Sequence, residues 1–446
     1  MEKSATHICQ VLQDNGFQAL LAGGCVRDGF FVGNEVHDID IATNATPDQV
    51  EALFPKTIPV GKAFGVIIVV HDEEQFEVAT FRTDHGTDGR RPQSVEFSSA
   101  EEDAKRRDLT INGIFEDPVS RKILDFVGGV NDIRHKVIRF IGDPKERIEE
   151  DLLRMLRVAR FAAKFHTFVI ARDTKEAVQE NAHRLADGAV SGERIKAELD
   201  KMLSLDKPSR AINILHDLNL LEVVLPEIAA MIGVEHSRKW HQEGNVFEHS
   251  MMVLDETANC TDDVACRWAA LFHDAGKPKT AAINKRGDIS NNGHEFVSAK
   301  MVEEVFKDRF KASNKEIEKV SFIAREHMKV KQVRKMRKHK VWDLVDNEFI
   351  DDLILVSAAD SSISVADDPL AEPDKLGWVT FLSQWERERG FKKPQALITG
   401  ADLIEKGLKP GPRFKEILGR VAKDQLDGKL SNREEALEFL RKTFKI

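Results

Sequence analysis

Leu20-Leu21-Ala22-Gly23-Gly24-Cys25-Val26-Arg27-Asp28, followed by His37-Asp38-Ile39-Asp40-Ile41-Ala42, is the stretch that decides the fold. The first part reads as a short apolar strand, a glycine pair and a short helix. The second alternates charged and apolar residues as a strand does. Alternate side chains of a strand share a face, so Asp38 and Asp40 emerge together while Ile39 and Ile41 turn into the core. Two convergent carboxylates are what Mg²⁺ needs to bridge a nucleoside triphosphate and an attacking hydroxyl. A lone Asp-x-Asp is more often a surface turn, and the apolar strand around this one adds to its weight. Glycines such as Gly23 and Gly24 let backbone N–H groups approach a phosphate, and a helix N-terminus favours its charge. Taken alone, the pair reads more simply as a strand-to-helix turn.

Working outward, Ala63–Val70 and Gln75–Phe81 are β-rich runs separated by the polar Asp72-Glu73-Glu74, which predicts a hairpin. Glu77 lies on its second strand. An acid in an apolar strand is costly if buried without a partner, which points to a third carboxylate near the metal. A paired structural acid, or a solvent-facing edge position, is the alternative. One mixed sheet with packed helices follows for the first 140 or so residues. From Asp143-Pro144 helical periodicity takes over and persists to about residue 225. A further helical segment is rich in His and Asp. Gly407, Pro410, Gly411 and Pro412 then punctuate the chain before a last pair of helices. The reading divides the chain at 1–142, 143–225, 226–370 and 371–446: a mixed α+β head followed by all-α parts.

At 446 residues, with 41% apolar and 32% charged, the composition is that of a soluble globular protein with a sizeable core. Apolar stretches such as Val66–Val70 fall far short of the ~20 residues a membrane span needs. The start, Met1-Glu2-Lys3-Ser4, lacks an apolar signal core, so export is not expected. Cys9, Cys25, Cys260 and Cys266 form no C-x-x-C pair, which fits a reduced, cytoplasmic setting. A net charge of −9 argues against indiscriminate coating of nucleic acid. Local basic faces remain, at Lys105-Arg106-Arg107 and at Lys329–Lys340, although such a run reads equally as a solvated helix face. There is no Tyr beside 26 Phe.

Read together, five ordered segments resemble the class II tRNA nucleotidyltransferases and the bacterial poly(A) polymerases. Leu21–Asp28 with His37–Thr43 is similar to that family's first motif, and Arg106-Arg-Asp-Leu-Thr-Ile-Asn112 to its second. Asp125-Phe-Val-Gly-Gly129 with Asp132 resembles its third, a hinge between head and neck. Glu150-Asp-Leu-Leu-Arg154 resembles the nucleotide-selecting motif, and Ser191–Leu199 the one after it. The resemblance implies a nucleotidyltransferase head of the polymerase-β type. It also implies Asp38 and Asp40 as Mg²⁺ ligands with Glu77 assisting. Arg27 and Arg107 would neutralise the triphosphate, Asp108 would engage the ribose, and Gly23, Gly24 and Asn112 would share the nucleotide pocket.

The residues of the selecting motif carry a physical reading of their own. On a helix from Glu150, Leu152, Leu156, Ala159 and Ala163 form one stripe, with Asp151, Arg154 and Arg157 opposite. The plain reading is a surface ion pair between Asp151 and Arg154. The functional one is selection: a carboxylate accepts from the exocyclic amino group of C or A, and Arg donates to the adjacent ring nitrogen. U and G present the opposite groups, so C and A are chosen without a template. The polar stretch Thr83–Ser94 reads as a long loop, and in the resembled family a full-length loop here accompanies the complete C-C-A activity.

Phe247-Glu-His249, His273-Asp274-Ala-Gly-Lys277, Gly293-His294-Glu295 and Ala359-Asp360 resemble the HD metal-dependent phosphohydrolases. His249, His273, Asp274 and Asp360 are the expected ligands of a second divalent metal. His294 and His327 are further ligands or substrate contacts. A satisfied buried His is the commoner case for any one of them. The expected activity is addition of CMP and AMP, from CTP and ATP, to the tRNA 3′ end. Poly(A) or A-only addition is the nearest alternative. A phosphohydrolase that keeps the head as an RNA-binding module is the alternative of another class. Ile39, Thr87, Glu116 and Phe126 stand where relatives often carry Tyr; none is a proposed ligand.

Overall fold

The computed structural model describes residues 1–30, 39–87, 92–235, 244–285, 287–330, 332–363 and 394–445. Asp38, half of the expected carboxylate pair, lies outside them. The chain forms two compact units, one of residues 1–229 with 309–311, the other of 230–308 with 312–446. Among the described residues no helix is long and apolar enough to cross a membrane.

The first unit opens with α1 (Glu2–Asp14), β1 (Ala19–Ala22), α2 (Gly24–Asp28), β2 (Asp40–Thr43) and α3 (Pro47–Leu53). Then come β3 (Thr57–Gly61), β4 (Val66–His71), β5 (Glu74–Thr80), β6 (Arg82–Thr87), β7 (Pro92–Phe97) and α4 (Ala100–Lys105). β8 (Ile114–Asp117), β9 (Lys122–Asp125) and α5 (Gly129–His135) complete the head. Seven strands make one mixed sheet in the order β3-β4-β5-β2-β1-β8-β9. Only β2 and β5 run parallel within it. All four residues of β1 are buried, as a central strand requires. Leu20, Ala22, Ala42, Phe81, Ala100, Ala104 and Phe115 pack as its core. Ile39 and Ile41 are both buried, as their alternation predicts.

The β4–β5 hairpin forms where the sequence predicts it. Its turn residues Asp72 and Glu73 both have positive φ, 49° and 65°, the twist that a two-residue hairpin turn demands. The stretch expected as a loop differs: β6 and β7 pair antiparallel from Arg82↔Phe97 to Thr87↔Pro92. Thr83, Val95 and Phe97 are strand-favouring residue types, and backbone ladder bonds are the cheapest way to satisfy such a long connection.

The helical part of this unit follows as α6 (Pro144–Glu150), α7 (Leu153–Lys164), α8 (Arg172–Asn181), α9 (Gly192–Leu203) and α10 (Ser209–Asp217). The stripe Leu152, Leu156, Ala159 and Ala163 is buried as expected. The single helix expected from Glu150 is instead broken. Asp151 is extended (φ −157°, ψ 109°), and its Oδ1 accepts from Leu153 N at 3.0 Å, so its side chain starts α7 rather than riding on it.

The second unit is helical: α11 (Leu221–Val224) and α12 (Pro226–Ala229) close the first, and α13 (Val246–Cys260) and α14 (Val264–Phe272) begin the second. α15 (Lys277–Thr280), α16 (His294–Glu304), α17 (Asn314–Val330), α18 (Lys338–Val345) and α19 (Ile350–Ile363) follow. Trp268 is fully buried against Phe272 and Phe306. Three further helices, Gly400–Glu405, Pro412–Leu426 and Arg433–Phe444, share a core of Leu403, Ile417, Val421 and Leu440.

Candidate functional site

A cavity of about 580 Å³ opens beside the β1, β2 and β5 strands. Asp40 and Glu77 line it, and they are register partners on the parallel strands β2 and β5. Burial, and then the Asp40 charge alongside, push the Glu77 carboxyl above its ordinary value. β5 lies between β4 and β2, so Glu77 is not on an edge strand. Two neighbouring carboxylates repel, and a cation held between them relieves that repulsion. That is the donor chemistry Mg²⁺ takes, with Asp38 of the same segment outside the described residues.

Seven arginines line the same cavity with four carboxylates. Such an excess suits a triphosphate. Gly23 has φ +70°, and a Cβ there would sit 2.9 Å from Arg107 Nη1, so only glycine keeps both the turn and the arginine. Arg107 is gripped by Asp103: its Nε and Nη2 lie 3.2 and 3.1 Å from Asp103 Oδ2. Arg106 binds the other oxygen at 2.7 Å, and the Arg82 backbone N–H reaches it at 3.4 Å. Asp103 is thus a buried hub for three arginines of the cavity.

A second chain of bonds crosses the cavity wall. Arg27 lies between the Phe161 and Phe165 rings, 5.1 Å from each centroid, and donates to Asp28 at 2.7 Å and Asn112 Oδ1 at 2.5 Å. Asn112 donates in turn to Asp108 Oδ1 at 2.9 Å, while Arg157 Nε donates to Asp108 Oδ2 at 2.5 Å. Burial works to raise the Asp108 carboxyl. The Arg157 charge and hydrogen bond outweigh it and hold the group well below the usual carboxylate range. Both Asp108 oxygens are therefore engaged within the protein.

Asp151 and Arg154 both line the cavity, yet they do not pair with each other. Asp151 Oδ2 accepts from Arg194 at 2.7 Å. Arg154 binds Glu150 and donates to the Arg106 carbonyl at 2.9 Å and the Arg147 carbonyl at 3.2 Å. Each is held by other groups, with its orientation fixed independently. Asp103, Arg82, Arg106 and Arg194 were not expected as site residues. For Asp103 the only sequence signal was its place, three and four residues before two arginines of a motif.

In the second unit His249, His273, Asp274, His294, His327 and Asp360 gather, all buried. His249 Nε2 lies 3.1 Å from Asp360 Oδ1. Asp274 is central: Oδ2 faces His273 at 3.2 Å and His249 at 3.8 Å, while Oδ1 faces His294 at 3.1 Å and His327 at 4.0 Å. The Nδ1 atoms of His273, His294 and His327 meet the carbonyls of Ala270, Asn291 and Ala324 at 2.7 to 2.8 Å. Those carbonyls fix the tautomer and turn Nε2 inward, the outer support a metal-binding imidazole needs. Among the described residues His273 Nε2 makes no aligned hydrogen bond, although Asp274 Oδ2 lies 3.2 Å away. Burial pushes His327 down to about 3, so its ring is neutral. His249, His273 and Asp274 form one set able to hold a metal, and Asp274, His294 and His327 another. A third set, Asp263, Cys266 and Asp352, already has the Lys319 ammonium 2.7 Å from both carboxylates.

The profile described as Poly A polymerase head domain matches residues 19–139. The Probable RNA and SrmB-binding site of polymerase A matches 167–232, and the HD domain matches 246–363. A CCA-adding enzyme of Bacillus pumilus (strain SAFR-032) is 46% identical over 227 residues, 50% of this chain and 56% of that protein. For several such curated relatives the chain spans only about half their length. A CCA-adding enzyme of Geobacillus thermodenitrificans (strain NG80-2) is 38% identical over 291 residues, 65% of this chain and 67% of that protein. The crystal structure of the Bacillus stearothermophilus CCA-adding enzyme in complex with CTP superimposes with a TM-score of 0.71 at 28% identity, covering 99% of this chain and 98% of that one. The chain belongs to the family of CCA-adding enzymes.

Proposed function

We propose that the chain is a template-independent tRNA nucleotidyltransferase that adds CMP and AMP, from CTP and ATP, to the tRNA 3′ end and releases pyrophosphate. The observation that carries it is the one cavity that Asp40, Glu77 and Asp151 line together with seven arginines, Arg154 among them. The 3′-hydroxyl oxygen bonds to the α-phosphorus as the bond to the bridging oxygen of pyrophosphate breaks. Asp38, Asp40 and Glu77 would hold Mg²⁺, which when bound neutralises developing charge and favours loss of the hydroxyl proton. Arg106 and Arg107, steadied by Asp103, and Arg82 receive the triphosphate charge. Arg27, Asn112, Asp108 and Arg157 brace the wall behind it, with Gly23 and Gly24 leaving room beside Arg107. Asp151 accepts from the amino group of C or A, and Arg154 donates to the ring nitrogen beside it.

We read residues 1–142 as the catalytic head, 143–225 as the neck, 226–370 as the HD part and 371–446 as the tail. The four cysteines are free thiols, which supports a cytoplasmic setting. The test supplies tRNA ending at the discriminator base, at C and at C-C with each NTP separately. Stepwise C, C and A incorporation is expected. Addition of A without C, or long A tails on any RNA, would overturn the reading in favour of A-only or poly(A) addition. Asp40→Asn should lower the rate by about a thousandfold, as loss of a metal-holding carboxylate does.

The His and Asp cluster supports a second reading beside the first: a divalent-metal phosphohydrolase acting on 2′,3′-cyclic or terminal phosphates. His249, His273, Asp274 and Asp360 would hold the metal, with His294 and His327 on the other Asp274 oxygen. His273→Ala should lose both hydrolysis of cyclic-phosphate RNA and bound metal by elemental analysis. Unchanged metal content would sink the ligand assignment.

A further inference from the structure

The basic run Lys329–Lys340 is not absorbed by either site. It does not form one solvated face: it spans the end of α17, a short turn of helix and the start of α18. There, residues of α17, α18 and the Pro412–Leu426 helix line a cavity of about 380 Å³ in the second unit. We propose that this cavity binds a free nucleotide, independently of the head cavity.

Four cations line it, Arg325, Lys329, Lys340 and Lys423, against two acids, Glu326 and Asp343. Glu326 is already embraced by Arg325, 3.1 Å away, and by Lys329. Among the described residues neither Lys340 nor Lys423 has a carboxylate within ion-pair distance. Two ammonium groups therefore face one cavity from two helices, on a chain whose net charge is −9. A phosphate group answers that field.

The rest of the lining is not what a phosphate alone needs. Phe322 and Leu344 give the cavity an apolar floor, 7% and 4% exposed. Asp343, near the end of α18, and Asn347, two residues past it, line the same cavity. A carboxylate and an amide there offer both acceptors and donors to the edge of a base. The volume falls within the roughly 300–1,000 Å³ of small-molecule sites. The walls are tied together: His339, at the start of α18, bonds Asp427, just past the Pro412–Leu426 helix, through its N–H at 3.2 Å and its ring at 2.8 Å. A concavity of this size between helices suits a small ligand better than an RNA backbone, which follows an extended groove.

Equilibrium dialysis of radiolabelled ATP against the full chain tests this. Two sites per chain are expected. Lys340→Glu with Lys423→Glu should weaken one of them by at least about tenfold, leaving nucleotide addition at saturating tRNA unchanged. Arg154→Ala should weaken only the other. Asp343→Ala, which leaves the lysines in place and removes no structural hydrogen bond among the described residues, should weaken the same site as the lysine pair and so separates lost binding from lost folding. A single ATP site, abolished by Arg154→Ala alone, would overturn the proposal without touching the head assignment. So would unchanged ATP stoichiometry in the lysine variant together with weakened tRNA binding, which would make the cavity an RNA contact.

Discussion

Asp103 shows how much of an active cavity can hang on one residue that does not face it as a ligand. Its two oxygens hold Arg106 and Arg107, and Asp103 itself is buried in α4, whose first turn is otherwise acidic. Asp103→Asn keeps the shape but removes the charge from two charge-assisted pairs. KM for CTP and ATP should rise about tenfold with a smaller loss in kcat, because the arginines bind ground state and transition state alike. Arg157→Ala tests a different bond. It leaves buried Asp108 without its cation, and stability should fall by about 2 kcal/mol, below the usual 3–5 kcal/mol because Arg157 is a third exposed. The sign with pH follows from the lowered Asp108 carboxyl. Its stabilisation is complete above the unfolded carboxylate value of about 4 and is lost as pH falls toward the folded one, so the variant and its parent should converge in strong acid. Asp40, Asp151, Arg154 and most of the His and Asp cluster were legible because motifs carry their spacing, and Glu77 because an acid stands out in an apolar strand. Asp103 was not, because burial of that acid depends on the sheet beneath α4.

At the scale of elements, period and turn chemistry recovered the hairpin, the buried strand and the apolar stripe of α7. They missed the break at Asp151, since the stripe continues in phase across it: periodicity records which face is buried, not whether the backbone is continuous. The break is made by a side chain bonding its own backbone two residues on, a competition that hydrophobic spacing does not register. They also missed β6 and β7, where polar composition masked strand pairing. The β4–β5 turn carries a measurable strain. Glu73 has φ 65° with a side chain that the left-handed region disfavours. Glu73→Gly should raise stability by about 1 kcal/mol, read as a higher urea midpoint at unchanged slope. The opposite holds at Gly129, where a Cβ would lie 2.1 Å from the Thr110 carbonyl oxygen. Gly129→Ala should destabilise the head by about 2 kcal/mol or more, through forced movement of α5.

The whole molecule carries two candidate chemistries in two compact units. The described residues of each site lie within one unit, so the two activities should be separable by single substitutions. Asp40→Asn is expected to abolish nucleotide addition and spare cyclic-phosphate hydrolysis, and His273→Ala to do the reverse. Loss of both activities in either variant would show that one site needs the other. Length and composition indicated several parts but could not show which helices pack together, because that rests on long-range contacts such as Trp268 with Phe306. Trp268 has one more consequence. All five tryptophans, at positions 240, 268, 342, 378 and 385, fall in the second unit, and the chain has no Tyr. The first unit is therefore dark to light that excites indole, with phenylalanine as its only benzenoid chromophore. Intrinsic emission watches one half of the protein alone, and a single Phe→Trp substitution in the head would give the other half a signal of its own against an unchanged background.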